Sequence, residues 1–230
     1  MTNQQLIETF FYRTLEKEVN EAMLDDIFYV IPKNRLATYI HKLIEIPYEE
    51  FLYFIISWNY QPITTEDMTQ SSSFSAAEIE MCNTLIATDN PGYDFEGIGR
   101  LFPQYCKSQT DYALRKYGEN QIKTSRQLGL TFSSYSFWYL SCFGYVYVDL
   151  TENERKAFLA RSILRDNFYG TIIKDLITGS ITINNYLKPL SEATIQRRSS
   201  GIMRILRIAF NAAKAEGIKL HDVIRILPPK

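Results

Sequence analysis

Apolar residues recur at helical spacing from the first turns of the chain. Leu6, Phe10, Leu15, Val19, Ala22 and Met23 follow one face, with Glu8, Glu16, Glu18 and Glu21 between them. A second run, Asn34 to Ile46, stops before Pro47, which disfavours helix at the residue preceding it. FLYFIISW, Phe51 to Trp58, is apolar almost throughout, so periodicity leaves a buried helix and a buried strand both open. The region up to about Tyr60 therefore reads as helical and acidic. QPITTEDMTQSSS, Gln61 to Ser73, is polar, aperiodic and rich in Ser and Thr, which is the pattern of a linker.

After it, Ser75 is placed to cap a helix running to about Thr88, ended by Asp89-Asn90-Pro91-Gly92. Phe95 to Leu101 predicts a short helix stopped by Pro103. SQTDYALRKYGENQIKTSRQLGL predicts a longer one, with Gly118 as a point of breakage and Gly129 as its C-terminal stop. SFWYLSCFGYVYVDL, dominated by aromatic and β-branched residues, predicts a two-stranded hairpin turning near Ser141 to Gly144. Three helices and a hairpin are the element order of a winged helix. Thr151 then opens another helix, with Glu154 in capping-box position. RDNFYGTIIKDLITG, a short INNYL helix, a turn at Lys188-Pro189-Leu190 and a helix from Ser191 follow in helix-turn-helix order. The expected fold is mostly α: tandem winged-helix/helix-turn-helix units with a small β-hairpin wing, preceded by an acidic helical region. The corresponding divisions are 1–70, 71–150 and 151–230.

Composition supports packed cores, with 46% hydrophobic and 14% aromatic residues. No stretch approaches the roughly 18 apolar residues of a membrane span. The opening MTNQQLIETFFYRTLEKEV lacks the pattern of a secretory leader. Cys82, Cys106 and Cys142 stand far apart without a CxxC, as reduced thiols do. These features predict a cytoplasmic protein with no membrane partner. The net charge of −1 conceals a division. Residues 1–103 hold 6 Lys and Arg against 16 Asp and Glu, whereas residues 104–230 hold 19 against 10. Either the halves dock on each other, or the basic half meets a polyanion.

The last helix bears on that choice. At 100° per residue, Ile195, Ile202, Leu206, Ala209 and Ala213 fall in one stripe. Arg197 and Arg204 lie nearly opposite it, with Ser200 and Arg207 beside them, Thr194 and Gln196 in the first turn, and Arg198 on a shoulder. A groove-reading helix needs an apolar face to dock and N-terminal polar side chains to reach base edges. A solvated Arg-rich face on an ordinary amphipathic helix has the same pattern. Lys123 and Arg126, on the earlier basic helix, complete the candidate contact set.

INNYLKPLSEATIQRRSSGIMRILRIA resembles the helix-turn-helix of DNA-reading winged-helix domains attached to restriction-modification proteins. DYALRKYGENQIKTSRQLGLTF followed by YVYVDLTENERKAFL is similar to a pattern in the same proteins: a basic helix ending in Leu-Gly-Leu, a wing, and "LT" opening the next helix. The resemblance covers about residues 94–210. It implies sequence-specific double-stranded DNA binding in a restriction or defence system, with Thr194, Gln196, Arg197 and Arg198 as contact residues.

Catalytic signals are sparse. The Glu-x-Lys of Glu154-Arg155-Lys156 lies in a helical stretch where a capping role for Glu154 explains it better. His41 and Glu45 form an isolated pair, and neither a Walker loop nor a G-x-S-x-G elbow is present. No cofactor or metal is expected. Two further readings remain: a type II restriction endonuclease with an unrecognised Mg-dependent site, and an interaction module whose acidic and basic halves dock. Residues 1–70 are candidates for homodimer or partner-protein contacts. Tyr135, Tyr139, Tyr145 and Tyr147, near the expected wing, are candidates for touching a groove or backbone.

Overall fold

The computed structural model describes residues 1–24, 33–68, 75–179, 184–218 and 220. The protein is mostly helical, with one small antiparallel sheet. The first part contains α1 (Asn3–Tyr12), α2 (Thr14–Leu24), α3 (Lys33–Glu45) and α4 (Tyr48–Ser57). Thr2 and Gln5 close a capping box at the start of α1, and Arg13, in left-handed backbone at φ 56°, turns the chain into α2. The apolar FLYFIISW is helical. Its Phe51, Leu52 and Ile55 are buried one turn apart, so helical phase was present but masked by apolar neighbours on the other face.

The middle comprises α5 (Ile79–Ala87), α6 (Phe95–Leu101), α7 (Asp111–Gln127) and the hairpin of β1 (Thr131–Ser134) with β2 (Phe137–Leu140). Its register pairs Thr131 with Leu140 and Ser134 with Phe137, and an isolated antiparallel bridge joins Tyr93, between α5 and α6, to Trp138. α5 begins later than expected: Ser75–Ala77 is a 3-10 turn, and no side-chain cap opens the helix. Asp89 and Asn90, both at positive φ, end the segment as the sequence predicts.

α7 runs unbroken through Gly118, contrary to the expected break. Gly118 lies where α7 presses on α6: a methyl there would stand 1.9 Å from the Phe95 carbonyl oxygen, and one at Gly99 2.1 Å from that of Leu114. The glycines thus serve close approach of two helices rather than interruption of one. Gly129, at φ 78°, ends α7 as predicted, with Leu130 N–H donating to the Ser125 carbonyl and Gly129 N–H to that of Arg126.

The hairpin lies one segment earlier than expected. It turns at Tyr135-Ser136, both at positive φ, and the predicted turn near Ser141 to Gly144 is instead the N-cap and first turn of a helix, α8 (Cys142–Tyr147). Ser141 caps that helix through Gly144 N–H, and Asn20 of α2 accepts from Cys142 N–H at 2.8 Å. α8 buries Cys142, Phe143, Gly144, Val146 and Tyr147, so it shows no polar face in the sequence.

α9 (Glu152–Leu164) is capped by the predicted Thr151–Glu154 box and packs against α3, α4, α10 (Asn167–Thr178) and α12 (Glu192–Ala215). The short α11 (Asn184–Leu187) precedes the turn into α12. One hydrophobic core extends from Leu6 to Ala213, crossing positions 70 and 150. Polar ties reinforce the join. Arg161 of α9 donates to the Ile44 and Ile46 carbonyls at the end of α3, at 2.9 and 2.5 Å. Glu216, just past α12, accepts from the Tyr48 N–H at the start of α4 at 2.8 Å. Arg165 pairs with Glu16 inside the core, both side chains buried. Among the described residues, no helix is long and apolar enough to cross a membrane.

Candidate nucleic-acid interface

α12 is 24 residues long and buries Ile202, Ile205, Leu206, Ala209 and Ala213, largely against α9. That stripe fixes what faces outward. Gln196, Arg197, Ser200, Arg204 and Arg207 are exposed, and Thr194 is half-buried. Among the described residues, no hydrogen bond or ion pair engages Arg197, Arg204 or Arg207. Ser191 occupies the N-cap position, but its hydroxyl donates to that of Thr194 at 2.9 Å and leaves the first-turn N–H groups without a side-chain cap.

Arg198 points elsewhere. It is half-buried and donates to the backbone carbonyl of Met68. Burial first, then the adjacent Arg197 charge, lower its pKa, while Glu119 of α7 acts in the opposite direction.

On α7, Leu114, Tyr117, Gly118, Gln121, Ile122 and Ser125 are buried. Opposite them Tyr112, Arg115, Lys116 and Arg126 are exposed, with Tyr112 at 78%. Lys107, Ser108, Gln109 and the N-cap Thr110 extend this exposed end. Glu119 lies between Lys116 and Lys123, at 2.7 and 2.8 Å, and the two ammonium groups hold its pKa down against its partial burial. Lys123 also stands over the Phe95 ring at 5.6 Å. The sequence reading selected Lys123 and Arg126 and missed Tyr112, Arg115 and Lys116. The phase of the apolar positions Leu114, Tyr117 and Ile122 carried that signal.

Of the four tyrosines expected near the wing, Tyr135 at the hairpin tip is 95% exposed. Tyr139 is half-buried and stacks on Phe132, Tyr145 is half-buried, and Tyr147 is buried with its hydroxyl on Glu78.

Ion pairing between the halves leaves the charge division largely unmatched among the described residues. Among the described residues, only Glu16–Arg165 joins an acid of residues 1–103 to a base of residues 104–230. Lys33–Asp149, His41–Glu154 and Arg100–Asp111 run the opposite way. Glu154 is held by Thr151 as well as His41, and no group of three or more His, Cys, Asp or Glu among the described residues could hold a metal ion.

Comparison with protein-family models, curated proteins and solved structures finds no match to this chain.

Proposed function

We propose that this is a cytoplasmic, sequence-specific double-stranded DNA-binding protein, the recognition component of a restriction or defence system. The observation that carries the reading is the outer face of α12, where Arg197, Arg204 and Arg207 are exposed and have no ion-pair partner among the described residues, next to Gln196 and Ser200. Exposed cations of this kind release counterions on meeting phosphates, and Gln and Arg can pair with base edges.

The middle of the chain supports the same reading. α5, the Tyr93 bridge, α6, α7 and the β1–β2 hairpin follow one another in winged-helix order. In that reading α7 offers its exposed N-terminal end, with Tyr112, Arg115 and Lys116, to a groove, and Tyr135 at the hairpin tip lies against the backbone. Lys116 is partly offset by Glu119, whereas Arg115 has no ion-pair partner among the described residues.

Selection from a randomised duplex library tests the proposal. A recovered motif bound more tightly than scrambled duplex by about 1,000-fold or more is expected. Recovery of no motif, with equal binding of every duplex, would remove the claim of sequence reading.

A further inference from the structure

As far as Met68, the segment after α4, expected from its composition to be a linker, is gripped from two sides. Thr64 and Asp67 first close it into a turn. The Asp67 N–H donates to the Thr64 carbonyl, and the Thr64 N–H and hydroxyl donate to Asp67 Oδ2 at 2.7 and 2.9 Å. Two consecutive carbonyls then accept from side chains of different helices. Gln127, the last residue of α7, donates its amide to the Asp67 carbonyl at 2.7 Å. Arg198, in the second turn of α12, donates to the Met68 carbonyl. Adjacent residues stand about 3.8 Å apart, so the end of α7 and the start of α12 are joined across a single dipeptide. Gln127 and Met68 are both buried, and exclusion of water strengthens such bonds.

A second tie runs through α9. Ser162 donates to the carbonyl of Leu128, the C-cap of α7, at 2.8 Å, and α12 lays its apolar stripe on the same helix. Two independent connections therefore hold α7 and α12 in one fixed relation, and both leave the exposed faces of the two helices free. On α12, Gln196 and Arg197 lie beside Arg198, with Ser200 and Arg204 following. On α7, the exposed Tyr112, Arg115 and Lys116 lie roughly 16–23 Å along the axis from Gln127, at 1.5 Å per residue.

We propose that the duplex target consists of two blocks at a fixed spacing, one met by α7 and the other by α12, and that Gln127, Ser162 and Arg198 set that spacing as positioning residues. The inference rests on the duplex reading above and deepens it. Two loosely joined reading elements would accept the same blocks at many spacings, whereas rigidly joined ones accept a single spacing.

The test takes the motif recovered by library selection and varies the spacer between its blocks by one and two base pairs. Affinities are measured for wild type, Arg198→Lys and the combined Gln127→Ala, Arg198→Ala variant. Wild type should lose about tenfold or more in affinity for each altered spacing, and the combined variant less than about threefold. Arg198→Lys, which keeps a charged donor, should discriminate as wild type does. A purely structural loss would weaken binding at all spacings in proportion, so the ratio between spacings reports positioning alone. Circular dichroism at the assay temperature verifies folding, and Gln127→Ala alone takes the place of the combined variant if that one unfolds. A single undivided motif, a wild type indifferent to spacing, or a folded variant with undiminished discrimination would overturn the proposal. Recovery of no motif at all would instead remove the duplex reading, and this inference with it.

Discussion

At the scale of single residues, neighbours in sequence take different roles. Arg197 and Arg198 are adjacent in the sequence, yet one projects into solvent and the other donates to the Met68 carbonyl. Arg197→Ala should therefore weaken duplex binding by about 1–3 kcal/mol without changing the melting temperature. Arg198→Ala should instead lower thermal stability, by about 1 kcal/mol or more, because a charged donor to a buried carbonyl is lost. Paired melting curves and binding isotherms separate the two; identical behaviour would contradict the assignment. Sequence alone put both arginines in the contact set, since the partner carbonyl is far away along the chain and has no side-chain signature.

Asp166 gives a pH signal at the same scale. Burial raises its pKa to about 6, despite the N–H groups of Tyr169 and Phe168 and the Arg13 charge that favour the anion. An unfolded aspartate titrates near 3.9. Between those values the folded chain binds the extra proton, so this residue's contribution favours folding as pH falls through about 6 and is lost as pH rises through it. Asp166→Asn retains a capping oxygen but cannot ionise. The stability difference between wild type and this variant should shift toward wild type from pH 7 to pH 4, by about 3 kcal/mol at most. A difference independent of pH would show that the carboxyl titrates normally.

At the scale of elements, most helices were legible because each carries a polar and an apolar face or a recognisable cap. α1, α3, α6, α7, α9 and α12 are of this kind, and the Thr151–Glu154 box marked its helix to the residue. α8 was not legible, since burial on all sides removes the polar face that distinguishes helix from strand. The hairpin was misplaced for a related reason: its turn uses Tyr135-Ser136 in positive-φ conformations, without the Gly or Asn that normally announces one. Gly118 reads as a helix breaker in one dimension and as a contact point in three. Gly118→Ala would improve helix propensity yet drive a methyl into the Phe95 carbonyl, so a loss of about 3 kcal/mol is expected. Chemical denaturation measures it, and a stabilised variant would refute the close α6–α7 approach.

At the scale of the whole molecule, one hydrophobic cluster joins residues of the acidic and the basic parts, while the ion pairs among the described residues leave the charge division largely intact. The composition revealed that division; the tie between α7 and α12 was not visible there, because Gln127 and Arg198 meet through backbone carbonyls of a distant segment. The proposed duplex binding rests on the cationic outer face of α12, and salt reads that face most directly. Affinity for a selected duplex should be measured across salt concentrations for wild type and for the combined Arg197→Ala, Arg204→Ala, Arg207→Ala variant. Wild type should lose affinity steeply with salt, and the variant's log–log slope should be shallower by about 3, roughly one per phosphate contact removed. Equal slopes for the two proteins would contradict the claim that this face meets DNA.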